Sequence, residues 1–93
     1  MEINTGVYKH FKGGFVYVLF TAKHSDREEI VVVYKGLNNG KFYARPIESF
    51  IEIVNDSEGK ETQRFIFIKK EDWNKSLSND QIQEINKLSI VFN

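Results

Sequence analysis

The sequence predicts a mainly β protein, a small antiparallel sandwich or barrel with one short helix at its C-terminal end. Three observations support this class. Runs of β-branched and aromatic residues recur through the first two thirds of the chain, and such side chains suit a pleated, partly buried surface. Turn signals separate the runs at roughly 8–12 residues, the rhythm of a small sandwich or barrel. In the last quarter the alternation gives way to a helical period.

Residues 7–11 read as a brief extended segment that Gly13 and Gly14 break, since adjacent glycines accept positive φ and allow a tight reversal. Residues 15–22 are apolar on both alternating faces, which argues a strand central to a sheet. A polar break at Ser25, Asp26, Arg27 and Glu28 leads into residues 30–34, which repeat the pattern, and the two runs are read as an antiparallel hairpin. Asn39-Gly40 is a strong hairpin signal, because both residues tolerate the positive φ of a type I′ turn. The partner strand, residues 41–45, stops at Pro46, which has no amide for a ladder. Residues 47–49 read as a helical turn or corner, 50–54 as extended, 55–60 as a polar turn and 64–68 as the next strand. Ser78-Asn79-Asp80-Gln81 matches a capping box. The helix that starts there presents Ile82, Ile85 and Leu88 as one narrow apolar stripe, so it lies on the domain rather than inside it. Residues 89–92 are read as a closing strand or a hydrophobic plug, and the charged run around Trp73 as a solvated turn.

The chain has 93 residues and is read as one domain over 1–93, with the barrel at about 6–68 and a helical tail at about 70–93. Thirteen basic residues balance thirteen acidic ones, so no global positive field drives binding to nucleic acid, and that role requires a local patch. No cysteine is present, which removes disulfides and thiolate chemistry and suits a reducing compartment. The first residues lack the features of a signal peptide, and no apolar run approaches the ~20 residues of a membrane helix. The expectation is a soluble, unexported, cytoplasmic protein with no membrane partner.

Four blocks resemble, in order and spacing, the small bacterial domain of unknown function DUF1653. They are Tyr8-Lys9-His10-Phe11-Lys12-Gly13, Ala22-Lys23-His24-Ser25, Val32-Val33-Tyr34 and Arg45-Pro46-Ile47-Glu48-Ser49-Phe50. The family pattern reads Tyr-x-His-aromatic-Lys-Gly, His-Ser-Glu-Thr, Val-Val-Tyr, then Trp-Val-Arg-Pro with a Phe four residues after the proline. This chain departs from it with Asp26-Arg27 for Glu-Thr and Tyr43-Ala44 for Trp-Val, and it lacks a tyrosine-glycine pair near Asn38. The resemblance covers roughly Gly6 to Phe67. It implies a compact barrel of SH3-like type and no established activity.

The candidate functional residues are Tyr8, His10, Lys12, His24, Tyr43 and Arg45. His10 and His24 are the only histidines and fall short of the three or four ligands of a zinc site, so no metal and no cofactor is expected. Arg45 is read either as an anion or carboxylate clamp, through its fixed fork of donors, or as the partner of Glu48 or Glu52 at the corner. Arg64 is read as an ordinary edge or surface cation. Tyr8, Phe11, Tyr17, Tyr34, Tyr43 and Trp73 offer a possible stacking platform, with Lys9, Lys12, Lys35 and Lys41 as a positive rim. No nucleophile elbow or carboxylate pair stands out, so the leading expectation is a non-catalytic binding module for a peptide, an anionic small molecule or nucleic acid. The rival readings are a small enzyme with His10 or His24 as general base and a nucleic-acid-binding barrel. A monomer or weak homodimer is expected.

Overall fold

The computed structural model describes residues 3–92, with side chains through Leu88. In order the elements are β1 (Gly6–His10), β2 (Phe15–Lys23), β3 (Ile30–Gly36), β4 (Phe42–Pro46), α1 (Ile47–Phe50), β5 (Ile53–Asn55), β6 (Glu61–Gln63), β7 (Phe65–Phe67), a 3-10 turn (Lys70–Asp72), α2 (Trp73–Ser76) and α3 (Asn79–Phe92). Five strands form an antiparallel sheet in the order β4-β3-β2-β1-β7, and β5 and β6 make a separate hairpin.

Register assigns the faces. Tyr8 pairs with both Val16 and Phe67, His10 with Phe65, Val18 with Tyr34, Tyr34 with Tyr43, and Val32 with Arg45. Cross-strand partners share a face of the pleat, so all of these side chains lie on one side of the sheet. Tyr8, Val16, Val18, Val32, Tyr34 and Phe65 are buried there against Phe50 of α1. The other side buries Val7 with Leu37 and Leu77, flanked by Phe15, Tyr17, Trp73, Ile82 and Ile85. The C-terminal helices thus cover one face and the α1 corner covers the other.

The expected barrel does not close. β4 and β7 are the two edges of the sheet and do not pair with each other. After Arg45 the chain reaches Pro46, which has no amide, and turns into α1 instead of continuing along the sheet. Side chains span the gap. In a flat sheet the edges would stand roughly 19 Å apart at ~4.8 Å per strand, yet the Arg45 guanidinium lies 5.5 Å from the Phe65 ring centre. The sheet is therefore strongly coiled, and α1 and the aromatic core occupy the opening.

Further expectations are corrected locally. The β3–β4 turn is not type I′, because no described non-glycine residue has positive φ. Instead Gly40 alone is left-handed, at φ 72°, and its amide donates to the Gly36 carbonyl at 2.8 Å. Asn39 stabilises the loop through its side chain, whose Oδ1 accepts from the Lys41 amide. Residues 61–63, too polar to read as a strand, pair with β5. Trp73 is half-buried rather than solvated, with its indole donating to the Ile68 carbonyl and its ring edge-on to Tyr17. The capping box forms: Ser78 N–H donates to Gln81 Oε1 at 2.8 Å and Gln81 N–H to Ser78 Oγ at 3.2 Å. α3 runs on to Phe92, so residues 89–92 are helical and not a strand.

Candidate functional site

His10 is positioned by the turn that ends β1. Its amide donates to the Gly14 carbonyl at 3.0 Å and its carbonyl accepts from the Gly13 amide at 2.8 Å. That loop needs two successive left-handed residues, and Gly13 and Gly14 supply them at φ 102° and 86°. The ring is fixed edge-on to Phe65 at 5.0 Å, and Nδ1 accepts from the Lys12 amide at 3.2 Å. Because Nδ1 is an acceptor, the neutral ring carries its proton on Nε2 and presents a donor. Burial, followed by the positive charges of Arg45, Arg64 and Lys12, holds the His10 pKa below the usual histidine range.

Arg45 stands across the gap. Its Nε donates to the Tyr34 hydroxyl at 3.3 Å and its Nη1 to Ser49 Oγ at 3.0 Å. It forms no ion pair among the described residues. The corner role anticipated for Arg45 belongs to Arg64, which donates to the Ser49 carbonyl at 3.0 Å and pairs with Glu52 at 2.6 Å. Phe65, which underlies both His10 and Arg45, is itself stacked on Phe50 with centroids 4.3 Å apart and planes 6° from parallel. Tyr43 stacks on Tyr34 at 5.5 Å, remains 41% exposed, and accepts at its hydroxyl from Asn39 Nδ2.

His10, Tyr43 and Arg45 line one groove of about 300 Å³, together with Phe65, Asn38, Asn39 and the glycines at 13, 14 and 36. A Cβ at Gly36 would stand 2.6 Å from Asn39 Oδ1 and 3.3 Å from the Tyr43 ring, so a larger residue there would displace the Asn39 side chain. The other three candidates fall outside the groove lining. Tyr8 is a core residue whose hydroxyl donates to the Asn4 carbonyl. Lys12 lies on the neighbouring turn, its ammonium over the Phe11 ring. His24 follows the far end of β2, where Nδ1 accepts from the Asp26 amide. Lys35 is not part of a rim: it is 5% exposed, paired with Glu84 on α3 at 3.0 Å. Asn38, Asn39 and Phe65 were missed because their signals, a turn and one aromatic in a strand, are those of ordinary structure. A larger cleft of about 620 Å³ lies on the opposite face, lined mainly by hydrocarbon from Tyr17, Leu19, Phe20, Trp73, Ile85 and Leu88. No group of three or more His, Cys, Asp or Glu among the described residues is placed to hold a metal. No described helix is long and apolar enough to cross a membrane.

The fold defines the class as a mainly β protein built on an open, coiled, five-stranded antiparallel sheet. The chain belongs to the DUF1653 family, described as a protein of unknown function, whose model matches residues 6–67. It is similar to a DUF1653 protein from Bordetella bronchiseptica known from a crystal structure, with a TM-score of 0.66 and 28% identity over 72% of this chain and 88% of that one. No curated protein matches the chain. The match ends at Phe67, so α2 and α3 lie beyond it.

Proposed function

We propose that the protein is a non-catalytic bacterial binding module whose site is the groove between the β1–β2 turn and β4, and that its partner is anionic there. The observation that carries this reading is a half-buried arginine without a carboxylate partner among the described residues, beside a histidine that offers only a donor. A guanidinium has five N–H groups, and Arg45 commits two of them, to Tyr34 and Ser49. The nearby acceptors are already engaged: Asn39 Oδ1 by Lys41, Asn38 Oδ1 by Gln81, and the Tyr43 hydroxyl by Asn39. No Asp or Glu among the described residues lines the groove. A surplus of donors in a partly desolvated site favours an oxyanion.

The same hydrogen bond weighs against catalysis. A general base needs a free lone pair, and the Nδ1 lone pair of His10 is occupied by the Lys12 amide. The absence of cysteine supports a cytoplasmic setting.

The test is an amide NMR titration of the whole protein with sodium acetate and inorganic phosphate, with sodium chloride as the ionic-strength control. Shifts clustering on Gly13, Gly14, Gly36 and Arg45 are expected, with a rise in the His10 pKa as the bound anion offsets the cationic surroundings. Shifts confined to the loop at 24–29 or to α3 would sink the assignment.

A further inference from the structure

The groove holds two different recognition elements side by side. One is the cationic corner formed by Arg45 and the Nε2 donor of His10. The other is the Tyr43 ring, 41% exposed and held nearly parallel to Tyr34 at 5.5 Å and 24°. Of the six rings proposed as a platform it is the exposed one, and its orientation is fixed twice, by the stack beneath it and by the Asn39 bond to its hydroxyl at 2.6 Å. A pre-oriented aromatic face retains little rotamer entropy to lose on binding. Its place in the chain brings it to the anion corner: Tyr43 and Arg45 are two apart on β4, on the same face. The volume of about 300 Å³ is at the lower end of small-molecule sites.

We propose that the groove takes an aromatic carboxylate, with the ring stacked on Tyr43 and the carboxylate held by the Arg45 guanidinium and the His10 Nε2–H. This rests on the anion-site reading above and specifies its ligand class. The chemistry has two sources, a free aromatic acid or the C-terminal aromatic residue of a polypeptide, and both present a flat ring next to a carboxylate.

The probes are benzoate, cyclohexanecarboxylate, acetate, benzamide and N-acetylphenylalanine, titrated into the labelled full-length protein and followed at the Gly13, Gly14, Gly36 and Arg45 amides. Benzoate is expected to bind at least five-fold more tightly than cyclohexanecarboxylate, which has the same charge without a π face, and benzamide is expected not to bind. Tyr43→Leu should abolish the preference for benzoate over cyclohexanecarboxylate. Arg45→Gln should weaken all four carboxylates at least ten-fold. Arg45→Lys, which keeps the charge but not the fork, serves as the second variant if Arg45→Gln unfolds. N-acetylphenylalanine binding more tightly than benzoate assigns the ligand to a chain terminus; the reverse assigns it to a free acid. Equal binding of benzoate and cyclohexanecarboxylate overturns the aromatic class and leaves the anion site standing. Failure of every carboxylate to shift these amides overturns both.

Discussion

Replacing Phe50 by alanine should remove much of the stability of the face that carries the groove. The ring is 2% exposed and sits at the junction of three others, stacked on Phe65 at 4.3 Å, edge-on to Tyr8 at 5.2 Å and tilted against Tyr34 at 5.8 Å. A buried aromatic ring removes on the order of 150 Å² from water, which at ~25 cal/mol per Å² comes to about 4 kcal/mol. That agrees with the ~3–5 kcal/mol typical of Phe→Ala in a core. The site has little freedom to collapse, because α1 is only one turn long and is held at its end by the Arg64 bond to the Ser49 carbonyl. Urea unfolding followed by circular dichroism should therefore show a loss of about 4 kcal/mol, and the melting temperature should fall by on the order of 20 °C for a domain of this size. Phe50→Leu, which keeps most of the volume, should lose less than half as much. A double-mutant cycle with Phe65→Ala should return a coupling of ~0.5–1.5 kcal/mol for the stacked pair. A loss below about 1.5 kcal/mol for Phe50→Ala would refute the claim that this ring anchors the Phe65 floor.

Two further predictions follow from the charged groups. The His10 pKa is lowered by burial and by Arg45, Arg64 and Lys12, so between the native value and the unfolded value of ~6.5 the unfolded chain holds more protons, and stability rises with pH across that window. The contribution is complete above ~6.5 and is lost as the pH falls through the native pKa; Arg45→Gln should raise that pKa in a proton NMR titration of the His10 ring, and an unchanged value would contradict the proximity of the two groups. On the opposite face the Lys35 ammonium reaches both the carboxylate and the backbone carbonyl of Glu84 at 3.0 Å, while hydrogen bonds from Lys87 and Lys35 hold the Glu84 carboxyl below the usual range. Glu84→Gln strands a buried ammonium, whereas Lys35→Met removes the charge and keeps the volume, so thermal unfolding should rank Glu84→Gln as the more damaging change and leave Lys35→Met neutral to within about 1 kcal/mol. The reverse order would mean that the pair is not desolvated.

Much of the local structure is legible in the sequence, because local structure answers to local chemistry. The two-faced runs at 15–22 and 30–34 became neighbouring strands, Gly13-Gly14 became a left-handed turn, and the Ser78–Gln81 capping box formed as written. Three of the six candidate site residues, His10, Tyr43 and Arg45, line one groove. His10 and Arg45 lie in blocks that resemble DUF1653 and Tyr43 stands where the family pattern has Trp, although neither spacing nor period required that they meet.

Where the sequence fell short, the missing information was long-range. A period of two says which side of a strand a residue faces, but not how far a sheet coils or whether its edges pair. Only the tertiary structure decided that β4 and β7 remain unpaired while Arg45 of the β4 edge reaches the Phe65 ring of the β7 edge, against which His10 of β1 also packs. It likewise decided which arginine pins the corner: Glu52 lies closer in sequence to Arg45 than to Arg64, yet pairs with Arg64, because the Arg64 amide also bonds the Glu52 carbonyl and brings the two residues together. Lys35 reads as a surface cation on a strand until α3, forty-nine residues further on, supplies the carboxylate that permits its burial. Composition and periodicity set the elements of this protein, whereas the charge pairing and the shape of its groove depend on distances through space, which coiling of the sheet and docking of the helix establish.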